Sequence, residues 1–353
     1  MNTSRISSAK YVNIVLIAVA CVIFCTPHAH AQSGLLGISG AISIGTSPSY
    51  PGPGDSVHLT AESSAIDLSS ASLVWYANGK VIAQGSGVVS ADVTAGALGT
   101  ETDVEVDALA ADGTSASAQA TLIPTQIDLL VDSDSYTPPF YRGRALPSAG
   151  TDLMLQAVPY FKRPDGSMVA SSDITYTWKR DNEVMASVSG RGRSSVVIDS
   201  PPLFGTDTIS VVARSSDGTL AGNASVSIPS VEPALALYED HPLFGILYGQ
   251  ALGASTFIPE SEMTFAAVPY FAQAQSANDA GMDFAWRVND TAITPSTANP
   301  GEITIDSANS NGSALVSLEL TRPSNFYMDA RGSWNITFSG GAGAQAQSAT
   351  FGQ

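Results

Sequence analysis

Few residues of this 353-residue chain have the types that carry acid, base or nucleophile chemistry. Of the four histidines, His28 and His30 sit in the N-terminal segment, His58 alternates within a strand-like run, and His241 precedes Pro242 in a linker. None adjoins a nucleophile motif: there is no Gly-x-Ser-x-Gly and no metal-spaced histidine pair. A glycosidase would need two particular carboxylates, and among 32 acids nothing singles out a pair. Asp132, Asp134, Glu239 and Asp240 lie near the inter-repeat linkers, but their spacing matches no EF-hand loop. The residues therefore point to a non-enzymatic chain without catalytic, cofactor-binding or metal-ligating sites.

What must position these residues is a chain of unusual surface composition. Charged residues make up 13%, about half the usual ~25%, while hydrophobic content is 44%, enough to form cores. The formal net charge is -17, and such acidity repels phosphate backbones, which excludes nucleic acid as a partner.

The N-terminus reads as a targeting signal. Arg5 and Lys10 precede an apolar run from Val12 to Phe24, and Ala29-His30-Ala31 offers a small-x-small cleavage site, so residues 1–31 form a signal peptide. The run is shorter than the ~20 residues that span a bilayer. Any membrane attachment would come through retention of this segment. Both cysteines, Cys21 and Cys25, lie within it, leaving the exported part without a disulfide or thiol. The chain is thus expected outside the cell or on its surface.

The decisive pattern is a repeat of about 105 residues. Trp75, Trp178 and Trp286 each end an alternating strand that runs into a polar turn: Ala77-Asn78-Gly79, Arg180-Asp181-Asn182 and Val288-Asn289-Asp290. Upstream of each lies another alternating strand, Val57–Ala61, Leu153–Ala157 or Met263–Ala267, the last two continuing into identical Val-Pro-Tyr-Phe tetrapeptides at 158–161 and 268–271. Downstream, Asp112-Gly113 and Asp217-Gly218 mark hairpins. After the signal segment, no window of 12 or more residues shows a helical apolar period. The chain therefore reads as all-β, three tandem immunoglobulin-like β-sandwich domains over 37–124, 125–230 and 231–353, with Trp75, Trp178 and Trp286 as core residues.

This pattern, from Gly37 to Phe351, resembles the bacterial immunoglobulin-like and PKD-like modules of secreted and surface proteins. Within that group it is most similar to tandem proteins of small-genome bacteria, whose second module opens with a segment like Tyr136 to Pro147. The PKD hallmark Trp-Asp-Phe-Gly-Asp-Gly is absent, since Trp178 is followed by Lys179-Arg180-Asp181. The resemblance implies fold and location.

Two aromatic segments stand out at the repeat junctions, Pro138 to Leu146 and Pro242 to Leu252. Prolines stiffen the backbone and aromatic rings offer large contact area at low entropic cost. Tyr136, Phe140, Tyr141, Phe244 and Tyr248 are the candidate contact residues. Two readings are open: a strip that binds a partner, or an apolar plug between neighbouring modules. Arg142, Arg144, Lys162 and Arg163 form a basic cluster, read either as solvated turn charges or as an attractor of acidic partners. The function expected is a cell-surface or envelope rod acting as spacer, adhesin-like subunit or pilus- or secretion-associated part, with a protein or envelope partner. The alternative is a carbohydrate- or cation-dependent binding module.

Overall fold

A computed structural model describes residues 42–259, 262–307 and 312–338. The targeting-signal reading of residues 1–31, both cysteines and the tail beyond Phe338 lie outside the described residues. Among the described residues, no helix is long and apolar enough to cross a membrane.

The first repeat supplies β1 (Ile42–Ser47), β2 (Ser56–Ser63), β3 (Ser72–Ala77), β4 (Lys80–Ser86), β5 (Ser90–Thr94), β6 (Thr102–Leu109) and β7 (Ser115–Leu122). They form sheets ordered β1-β2-β5 and β4-β3-β6-β7. The second supplies β8 (Gln126–Ser133), β9 (Asp152–Tyr160), β10 (Ile174–Arg180), β11 (Glu183–Val184), β12 (Gly190–Arg191), β13 (Ser195–Asp199), β14 (Thr206–Ser215) and β15 (Ala221–Pro229). Its sheets run β13-β9-β8 and β11-β10-β14-β15, with β12 also pairing β10. The third supplies β16 (Ala234–His241), β17 (Gly245–Ile246), β18 (Ser255–Ile258), β19 (Glu262–Tyr270), β20 (Asp283–Val288), β21 (Thr291–Ile293), β22 (Glu302–Asp306), β23 (Gly312–Arg322) and β24 (Asn325–Phe338). Its sheets run β17-β16-β19-β22 and β18-β24-β23-β20-β21.

One three-strand pattern and one four-strand pattern recur in each repeat, and their crossed connections are those of the immunoglobulin-like sandwich. The protein is a tandem of such sandwiches. In the second, Leu153 and Leu155 of one sheet share a core with Tyr176, Trp178, Ile209 and Val211 of the other. In the third, Phe265 and Ile303 share a core with Trp286, Val316, Leu318 and Ile336. By proximity the described chain divides into two compact units. One comprises 42–45, Thr60–Ala91 and Val104–Ala120; the other comprises Thr46–Leu59, Asp92–Asp103 and everything from Thr121 onward, including both of these cores.

Local chemistry explains the recurrence. Each tryptophan strand ends in a two-residue turn with both central residues at positive φ: Asn78 and Gly79, Asp181 and Asn182, Asn289 and Asp290. Asn, Asp and Gly tolerate that left-handed geometry, which matches the twist of paired strands. Two of these turns clamp the neighbouring strand. Asp181 Oδ1 accepts from the Thr208 amide at 2.8 Å, and Asn289 Oδ1 accepts from the Leu315 amide at 2.9 Å. Trp75, Trp178 and Trp286 are buried, and each indole N–H donates to a backbone carbonyl further along the chain: Val88, Arg193 and Pro300 at 2.9, 2.8 and 2.9 Å.

The third repeat departs from simple alternation. β24 begins at Asn325, well before the Trp334–Phe338 stretch legible as a strand. β19 is buried on both faces from Phe265 to Pro269, whereas β9 alternates. On the outward face of β19, Tyr238 sits beside its register partner Ala266, bonds the Tyr270 hydroxyl and meets the tilted Tyr248 ring at 5.5 Å.

Candidate functional site: an aromatic joint

The 18-residue connection from Asp134 to Thr151 that links β8 to β9 leaves its own sandwich and grips the third. Tyr136 forms an isolated antiparallel bridge with Ala272. Its amide donates to the Ala272 carbonyl at 2.8 Å, and its carbonyl accepts from the Phe271 amide at 2.7 Å. The Tyr136 ring packs on the third core. Burial, then the neighbouring Tyr248, raises its hydroxyl above the ordinary tyrosine range.

Aromatic rings extend the grip. Tyr141 meets Tyr270 edge-on at 5.6 Å and Phe271 at 5.9 Å, both from the second Val-Pro-Tyr-Phe tetrapeptide. Phe140 reaches Tyr248 at 6.5 Å, and Tyr238 and Tyr270 share a hydroxyl hydrogen bond of 2.6 Å. Burial first, and that bond second, raise the Tyr270 hydroxyl. Edge-to-face pairs add about 0.5–1.5 kcal/mol each beyond area burial.

The far end of the same connection makes a polar latch. Asn325 Nδ2 donates to the Ala149 carbonyl at 2.9 Å and to Gln273 Oε1 at 3.0 Å, while Gln273 Nε2 donates to the Gly150 carbonyl. Arg322 donates to the Gln273 carbonyl at 2.7 Å and faces Asp279 at 3.5 Å. The backbone amide of Gln275, the largest influence, and that of Gly281 donate to Asp279 and hold its carboxyl below the usual range. Gly150 has φ +90, which favours glycine, and a Cβ there would displace the Asn325 amide from the latch.

The structure thus brings Tyr136, Phe140, Tyr141 and Tyr248 together. Phe244 stands apart, stacked at 4.7 Å on His241 and 76% exposed. The four basic residues do not form one cluster. Arg142 and Arg144 lie in the connection before β9, and Lys162 and Arg163 lie beyond its other end, a strand's length away. Arg163 instead pairs with Asp217 at 2.8 Å. Asp132 and Asp134 accept backbone amides of Ser133 and Asp152. No group of three His, Cys, Asp or Glu side chains able to hold a metal ion forms among the described residues. His58 contacts Asp92 at 2.8 Å in an exposed pair. Gln273, Arg322 and Asn325 carry no sequence motif; only the fold brings them to Gly150 and makes the polar latch legible.

No protein-family model matches the chain, and no curated protein matches it. Solved structures similar to it include the central fibronectin-III array of RIM-binding protein, at 11% identity over 80% of this chain and 92% of that one, TM-score 0.29. The fibronectin(III)-like modules of Clostridium thermocellum CbhA are 16% identical over 53% and 94%, TM-score 0.26. Three N-terminal domains of the bacteriophage RB49 outer capsid protein Hoc are 15% identical over 85% and 98%, TM-score 0.23. Likeness at these scores assigns no role to any residue of this chain.

Proposed function

We propose that this chain is a non-enzymatic, exported structural or interaction protein whose sandwiches serve as spacer modules on a cell surface, with module boundaries near 124 and 230. The single observation that supports the reading is the joint. A connection of 18 residues is spent on holding one sandwich against the next rather than on building a reactive cleft. Fixed geometry between modules suits presentation of a partner at a distance.

The experiment is surface access. A short epitope inserted at the exposed Asp112-Gly113 turn should be reached by antibody on intact producing cells. An epitope reached only after lysis contradicts the reading.

A further inference from the structure

The outward face of the β16-β19-β22 sheet carries an acidic groove and, next to it over Tyr238 and Tyr248, the contact with Phe140 that begins a basic tip. The tip is Phe140, Arg142 and Arg144. Phe140 is 89% exposed although its backbone sits at φ +67, a conformation bulky side chains avoid. The turn that imposes this is closed by the Tyr141 amide donating to the Pro138 carbonyl at 3.2 Å. Arg142 and Arg144 are exposed, and neither has an ion-pair partner among the described residues.

The groove, about 690 Å³, opens on the third sandwich between Asp240, His241, Glu262, Thr264, Glu302 and Thr304. Leu243 lines it and is 82% exposed, and Phe244, next in the chain and 76% exposed, packs on the lining residue His241 at 4.7 Å. No described cation forms an ion pair with Asp240, Glu262 or Glu302. Tyr248 connects the two features. Its ring is 6.5 Å from that of Phe140, and its hydroxyl is raised by burial, then by Tyr238 and Asp240.

We propose that two copies of the chain associate face to face about a two-fold axis. Arg142 and Arg144 of each copy enter the acidic groove of the other, and Phe140 of each meets Leu243 and Phe244 of the other. A self-complementary face is what a two-fold contact requires, since one surface must supply both halves. The occupant is a second copy because the same face carries the complementary charge and the complementary apolar surface. Chain-wide acidity opposes association through long-range repulsion, which salt screens more than it screens ion pairs at contact. The dimer face rests on the joint, which holds the connection carrying Arg142 and Arg144 beside the third sandwich.

Analytical ultracentrifugation of the full chain at about 0.15 M salt and on the order of 100 µM tests this. The expected result is a two-chain species that R142E/R144E converts to one chain. E262R/E302R should do the same, and the four substitutions combined should restore the two-chain mass. Arg142, Arg144 and Glu262 are exposed and Glu302 is half-buried, so unchanged thermal melting certifies that each variant is folded. A wild-type chain that sediments as a monomer overturns the proposal, as does a dimer untouched by R142E/R144E. Retention of a monomeric wild type on immobilised heparin, lost in R142E/R144E, would overturn it too and reassign the tip to an anionic polymer.

Discussion

At the scale of single residues, the three indoles do more than fill space. Each is buried and gives its N–H to a carbonyl 13 to 15 residues downstream, so each fixes the chain segment that follows its hairpin. Trp178→Ala removes volume and anchor together and should cost about 3–5 kcal/mol. Trp178→Phe keeps most of the ring but leaves the Arg193 carbonyl without its donor, which should cost about 1–3 kcal/mol. Urea unfolding of the two variants checks the order. A Trp178→Phe variant as stable as the parent would show that the hydrogen bond contributes nothing beyond packing.

At the scale of elements, the turns after the tryptophan strands hold the sandwich edges in register. Asp181 combines a left-handed backbone with a side chain that accepts the Thr208 amide. Asp181→Ala loses both and should cost about 1–2 kcal/mol. Asp181→Asn should be nearly neutral, because Asn289 does the same work in the third repeat. Chemical denaturation of both variants decides it.

These turns, and the alternating strands before them, were legible in the sequence because they rest on local rules, a two-residue period and residues that accept positive φ. The double-sided burial of β19 was not. Tyr238 and Tyr248 reach its outward face from another part of the chain, and no local pattern in 262–270 announces them. Proximity of Arg142 to Lys162 in sequence suggested one basic cluster, but an intervening strand carries the two pairs to opposite ends of its sandwich. Tyr136 and Phe140 attracted notice as aromatic residues among prolines. Asn325 and Gly150 are informative only once their contact is seen.

At the scale of the whole molecule, the joint has a pH signature. Tyr136, Tyr248 and Tyr270 all ionise above the ordinary tyrosine value of 10.0 in the folded chain, chiefly because burial disfavours the phenolate. A raised folded-state pKa contributes stability that is complete below the unfolded value and is lost as pH rises through and beyond it. Melting temperature should therefore fall above pH about 10, and fall less steeply in Tyr136→Phe, which keeps the ring and removes the titrating hydroxyl. An identical alkaline slope in both proteins would mean that the joint does not titrate.

The most direct test of the joint is a distance between the second and third sandwiches. Both native cysteines lie within residues 1–31, so Val184→Cys and Ile293→Cys, each at an exposed strand position, give spin-label sites in an otherwise cysteine-free region. Double electron–electron resonance should return one narrow distance distribution. Tyr136→Pro, which removes the amide that bonds to Ala272, should broaden it. A broad or multiple distribution in the unmodified joint would contradict the account.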